Sequence, residues 1–142
     1  MRDLMNNVNI AGIAATGVIT VTDTTAIVSG IVDKQGYDSV MFGIITGTLA
    51  DVDATFTVLV EDGDDSGLSD AAAVDDAYLL GTEALASFTF AEDASAFKIG
   101  YVGPKRYTRC TVTPAANTGS APIGIFCLLG HPNSAATSNP PA

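Results

Sequence analysis

From Ala54 to Val60 the chain alternates, with Phe56, Val58 and Val60 facing one way. A side-chain period of two is the signature of a half-buried β-strand. The same rhythm recurs along the chain. Val18 to Val21 is a short run, and Thr24 to Val32 is longer, leading into the turn Asp33-Lys34-Gln35-Gly36. Ser39 to Leu49 sets Val40, Phe42 and Ile44 on one side and Met41 and Ile45 on the other. Ala84 to Ala91 puts Phe88 and Phe90 on one face, and Phe97 to Val102 groups Phe97, Ile99 and Tyr101. Arg106 to Thr113 sets Thr108, Cys110 and Val112 against Tyr107, Arg109 and Thr111. Ile123 to Leu129 is apolar on both faces, which predicts a central strand.

Gly, Asp, Asn and Pro punctuate these runs, as turn residues do. No segment carries a capped apolar pattern of helical period, and Lys, Gln, Arg and Glu are scarce. The pattern predicts an all-β fold of about eight strands in two facing sheets. An antiparallel jelly-roll sandwich is the first expectation, because two-residue Asn-Gly hairpin turns are few and jelly rolls use longer connections between sheets. An immunoglobulin-like β-sandwich is the alternative. The chain has no Trp, so the Cys-Trp-Cys core of a true immunoglobulin domain is missing.

A chain of 142 residues fits one domain and buries enough surface for a core without metal or disulfide. The expected division is an N-terminal arm or edge strand over 1–17, the sandwich over 18–131, and a flexible low-complexity tail over 132–142. Only 15% of residues are charged, with Ala, Gly, Thr and Ser in their place. A surface so poor in charge is one that partners cover. The net charge of −10 opposes nucleic acid and anionic membranes as partners. No run reaches the ~20 apolar residues of a membrane helix, and the start lacks the apolar core of a signal peptide, so synthesis in a cytoplasm is expected. Cys110 and Cys127 each lie in a strand-like run and read as buried hydrophobes, a disulfide being open only if their strands are neighbours.

Chemical motifs are weak. Asp62-Gly63-Asp64-Asp65-Ser66-Gly67 matches the first half of a calcium loop. The position that needs a bidentate Glu is Ala73, so a solvated acidic loop is the plainer reading. His131 is the single histidine, beside Pro132 after the last strand, with no nucleophile elbow in the chain. One His and two separated Cys do not make a transition-metal site. The acid pairs Asp51/Asp53 and Glu92/Asp93 read as turn residues rather than a glycosidase pair. No catalytic residue, no cofactor and no metal site are expected, and the protein reads as a non-enzyme.

Four of the six basic residues, Lys98, Lys105, Arg106 and Arg109, crowd a short stretch with Tyr101 and Tyr107. They form either a balanced, solvated sheet face or an interface anchor, for which Tyr and Arg are favoured residues. Val8 and Ile10 in the N-terminal segment are the other contact candidates.

The stretch Ile99-Gly100-Tyr101-Val102-Gly103-Pro104-Lys105-Arg106-Tyr107 resembles small virion proteins of tailed phages. So do Thr111-Val112-Thr113-Pro114, Asn117-Thr118-Gly119, Ala121-Pro122-Ile123 and Leu129-Gly130-His131-Pro132. Upstream, Val58 to Gly67 and Leu80-Gly81-Thr82-Glu83 are similar as well, so that the likeness spans roughly residues 40 to 132. The family is that of capsid decoration, or cement, proteins with a jelly-roll fold, among them those of short-tailed Bordetella phages. The resemblance implies a structural protein on the capsid exterior that bridges subunits of the major capsid protein, as a homo-oligomer, dimer or trimer. It implies no catalytic residue. The rival reading is a tail or fibre-associated β-sandwich module that binds a host-surface ligand.

Overall fold

The structure is a computed structural model and describes residues 3–13 and 17–137. Its strands are β1 (Val8–Ala11), β2 (Val18–Val21), β3 (Ile27–Val28), β4 (Val32–Asp33), β5 (Tyr37–Thr46), β6 (Thr55–Gly63), β7 (Ala72–Ala73), β8 (Leu79–Leu80), β9 (Phe88–Thr89), β10 (Ala96–Tyr101), β11 (Tyr107–Ala115) and β12 (Ala121–Pro132). The single α-helix among the described residues, α1, covers Glu83–Ala86, and Met5–Asn7 and Asp76–Tyr78 are turns of 3-10 helix.

The strands form two antiparallel sheets. In sheet one β12 lies between β5 and an edge made of β1 and β2, and β10 and β8 follow on the far side of β5. In sheet two β11 lies between β6 and an edge made of β3 and β4, and β7 and β9 flank β6. Each broken edge counts as one interrupted strand. Successive long strands then alternate between sheets, the wiring of a jelly roll.

The alternation read from sequence sets the core. Phe42, Ile44, Ile99, Ile123 and Ile125 from sheet one meet Phe56, Val58, Val60, Cys110 and Val112 from sheet two, all essentially inaccessible to water. Each such side chain stabilises the fold by roughly 1.5–3 kcal/mol on burial. Phe56, Phe88 and Phe97 stack with centroids 4.9 Å apart at each step, joining sheet two to sheet one.

Three expectations are corrected. Ala84 to Ala91 is not one strand, because α1 occupies its first half. The Thr82 hydroxyl caps α1 by accepting the Leu85 N–H at 3.1 Å, and the Glu83 carboxylate accepts the Val60 N–H at 2.7 Å. Phe88 is buried there, while Phe90 stays partly exposed. Thr24 to Val32 is interrupted: Gly30 donates its N–H to Gly12 O, and a Cβ on Gly30 would lie 3.0 Å from Ile13 O. The segment from Pro132 to Thr137 is not free. Pro132 pairs with Tyr37, the Asn133 N–H donates to Gly36 O at 2.9 Å, and the Thr137 N–H donates to Asn6 O at 3.1 Å. The rest of the expected tail, 138–142, and residues 1–2 and 14–16 of the expected arm lie outside the described residues. Within 1–17, Val8–Ala11 is an edge strand paired with β12.

Phe42→Ala is expected to lower the unfolding free energy by about 3–5 kcal/mol. Ile45→Ala, on the outer side of the same strand, is expected to cost about 1 kcal/mol or less. Urea unfolding of the two variants checks the assignment of faces, and equal losses would contradict it.

Candidate functional site

The two outer faces of the sandwich differ in chemistry. On sheet two, the outward positions of β6 and β11 mix Thr55, Thr57, Thr111 and Thr113 with Leu59 and Tyr107, and Glu61 stands opposite Arg109. Such a face is content in water. On sheet one, β5 turns Ser39, Met41, Gly43 and Ile45 outward, and β12 turns out Pro122, Gly124, Phe126, Leu128 and Gly130. Register on β12 places Val8 and Ile10 of β1 and Val18 of β2 on that same side. Leu80 of β8, 61% exposed, and Leu85 of α1, 76% exposed, extend it. Together these side chains make a contiguous apolar face on the water side of sheet one.

Glycines shape the face. A Cβ on Gly43 would fall 2.4 Å from Phe126 Cζ, so the missing side chain is what lets the Phe126 ring lie down over β5. Gly124 leaves room for Ile45 in the same way, with 2.9 Å to Ile45 Cγ1. Two hollows result. One, of about 340 Å³, is lined by Ile10, Ile13, Gly17, Val18, Ile45, Gly124, Ile125 and Phe126. The other, of about 680 Å³, runs between Val8 and Leu128 on one side and Leu80 and Leu85 on the other, with Lys98 and His131 as its basic residues.

The structure separates the basic cluster expected from sequence. Lys98 projects from β10 on sheet one, whereas Lys105, Arg106, Tyr107 and Arg109 precede or belong to β11 on sheet two. The link between them crosses from one sheet to the other, so neighbours in sequence end on different layers. The three cations on the sheet-two side each pair with an acid. Lys105 meets Asp64, Arg106 grips Asp33 through two hydrogen bonds of 2.9 and 2.7 Å, and Arg109 meets Glu61 at 2.8 Å. Arg106 also lies over the Tyr107 ring, 5.0 Å from its centroid. Tyr101 is 1% exposed and belongs to the core, not to a surface patch. Its hydroxyl donates to Asp62 at 2.7 Å and accepts the Lys105 N–H at 3.1 Å, pinning the crossing link. Burial, and then the bond to Asp62, push the Tyr101 hydroxyl far above its ordinary pKa.

Val8, Ile10 and Lys98 do come together, on the apolar face of sheet one. Among the described residues, Lys98 is the lysine or arginine whose side chain neither joins an ion pair nor donates a hydrogen bond; Lys34 donates to Gly103 O. Sequence reasoning missed Met41, Ile45, Leu80, Phe126 and Leu128 as site residues. For Met41, Ile45, Phe126 and Leu128 the signal is the double-sided apolar character of β5 and β12, whereas Leu80 sits on a two-residue strand that offers none.

The acidic loop is internally satisfied. Asp70 accepts the N–H groups of Asp64 and Asp65 at 2.8 and 3.1 Å, and Asp65 accepts those of Gly67 and Ser69 at 2.9 and 3.2 Å. Among the described residues no group of three His, Cys, Asp or Glu is placed to hold a metal ion. Asp51 is a turn residue that accepts both the N–H and the hydroxyl of Thr118 at 2.7 Å. Cys110 and Cys127 are free and buried on facing sheets, and burial pushes each thiol up to about 12. His131 sits at positive φ, its Nδ1 hydrogen-bonded to Ser39 Oγ.

No protein-family model matches the chain, and no curated protein matches it. Among solved structures the fold is similar to a chain of the capsid of Ralstonia phage GP4, at a TM-score of 0.48 and 12% identity over 94% of this chain and 90% of that one. It is similar to the Yersinia pseudotuberculosis-derived mitogen, at a TM-score of 0.42 and 9% identity over 89% and 87%. It is also similar to a family 16 carbohydrate-binding module, at a TM-score of 0.42 and 12% identity over 90% and 89%. Viral capsid chains and carbohydrate-binding modules thus both occur among the similar folds. These are loose likenesses of fold, and function has to be read from this chain's own side chains.

Acid should weaken the fold. The Arg106 side chain holds Asp33 below the usual carboxylate range, the Thr118 hydroxyl does so for Asp51, and backbone N–H groups do so for Asp65 and Asp70. A carboxyl depressed in the folded state contributes stability above its unfolded pKa and loses it as pH falls through the folded pKa. Urea midpoints are therefore expected to hold near neutrality and to drop below about pH 4. A flat profile down to pH 2 would contradict these contacts. Tyr101→Phe is expected to cost about 1–3 kcal/mol by the same assay, because Asp62 and the Lys105 N–H lose a partner.

Proposed function

We propose that this protein is a non-enzymatic structural component of a virion, which lays the outer face of sheet one against a shell of major capsid protein on the capsid exterior. The apolar face is the observation that carries the reading. A sandwich has no need of Met41, Ile45, Phe126 and Leu128 on its water side, and it tolerates them where a partner removes them from water. The resemblance of residues 40–132 to tailed-phage decoration proteins supplies the kind of partner. Acidity is compatible with that role, since a protein outside the shell has no contact with packaged DNA.

The mechanism is thermodynamic. A protein that binds the assembled shell and not its separated subunits stabilises the shell by mass action. Many copies on one lattice turn a modest affinity per site into a large total effect. The rival, a module for a host-surface sugar, is less well supported. Sugar recognition uses exposed aromatic rings, and this face offers Phe126, half covered, in a chain without Trp.

Purified protein mixed with undecorated capsid shells is expected to co-sediment saturably, at a fixed copy number per shell. Ile45→Asp, on the apolar face, is expected to weaken binding by about tenfold or more. Thr57→Asp, on the outer face of sheet two, is expected to leave it unchanged. Absence of wild-type binding, or equal effects of the two substitutions, would count against the reading. Hits on a glycan array would favour the rival.

A further inference from the structure

The larger hollow on sheet one narrows the chemistry of the partner. Its sides are aliphatic, with Val8 and Leu128 facing Leu80 and Leu85, and Gly100 keeps the space open because a Cβ there would press on Leu80 at 2.9 Å. Lys98 rises in this apolar setting, opposite Gly43 in the β5 register. It is exposed, and none of the described residues offers it an acid or a hydrogen bond, although the chain contains sixteen acids. The other described cations are spent on internal partners.

We propose that this groove takes a segment of the shell protein in which a single Asp or Glu is flanked by aliphatic residues, its carboxylate pairing with Lys98 Nζ; this rests on the shell-binding reading above. When a partner covers the face, the Lys98 ammonium loses its water. A charge desolvated without a partner is costly, whereas an ion pair within a dry rim offsets the loss. No acid among the described residues reaches it, so the acid is assigned to the occupant. The net charge of −10 sets the second condition. A run of acids, a nucleic acid or an anionic membrane would be repelled by the whole molecule, while one carboxylate among apolar side chains is recognised locally.

The test uses the full chain and undecorated shells. A water-soluble carbodiimide condenses a lysine amine with a carboxylate in contact, forming an amide, and mass spectrometry locates the joined peptides. The expected product links Lys98 to an Asp or Glu of the shell protein. In parallel, Lys98→Glu is expected to weaken shell binding roughly tenfold or more, and Lys98→Arg to keep it within about threefold. Unchanged thermal melts confirm that both variants fold. Coupling of Lys98 to a second copy of this chain, or shell binding by Lys98→Glu equal to wild type, would overturn the inference and leave the shell-binding reading standing. If the wild-type protein does not bind shells, that reading falls and this inference falls with it.

Discussion

One apolar layer, shared between two sheets, holds this protein together. No disulfide or metal cluster among the described residues assists it, since both cysteines are free. Phe42 and Ile125 on one side and Phe56 and Val112 on the other are packed because each strand keeps strict alternation along its length. A slip of one residue in β12 would turn Ile123, Ile125, Cys127 and Leu129 out of the core, so register and core are a single constraint. The stacked rings of Phe56, Phe88 and Phe97 tie the layers where the edge strands are shortest.

Charge is arranged around that layer so that little of it remains for binding. Lys105, Arg106 and Arg109 brace the link into β11 and its pairing with β4 and β6. Exposed pairs of this kind contribute little stability singly, and their clearer effect is to remove a basic patch from the surface. What is left is an acidic body with one apolar face, on which Lys98 stands apart. Recognition by such a surface depends on shape and dryness more than on long-range attraction.

The long strands were legible in the sequence because β-branched and aromatic residues alternate over enough positions to fix both period and face. The two-residue strands β7, β8 and β9 carry too few residues for any period. α1 is hidden in the sequence because Phe88 and Phe90 suggest a strand, while one turn of helix after the Thr82 cap is too short to show a helical period. The basic cluster was misplaced for a topological reason: a jelly roll sends consecutive strands to different sheets, so Lys98 and Lys105 part company. Tyr101, a contact candidate by its neighbours in sequence, shares its parity with the buried Ile99, and the parity is what decides its place in the core. The apolar side of β5 and β12 was visible too, but period alone does not tell a strand covered by its own chain from one covered by another molecule.

The position of β12 has a consequence for how the protein is made. It is the last strand of the fold, yet it sits inside sheet one, where β1, β2 and β5 all pair with it. During translation these earlier strands emerge with their shared neighbour still unsynthesised, and β5 carries apolar side chains on both faces, Phe42 and Ile44 inward and Met41 and Ile45 outward. Sheet one therefore closes only after the ribosome has passed Pro132, in a step dominated by contacts between distant parts of the chain, which is a slow kind of folding. Until then the nascent polypeptide displays unpaired apolar edges, the hazard that chaperones exist to manage. The stability of the finished sandwich and the ease of reaching it are thus separate properties, because the strand that joins sheet one follows all of its partners in the chain.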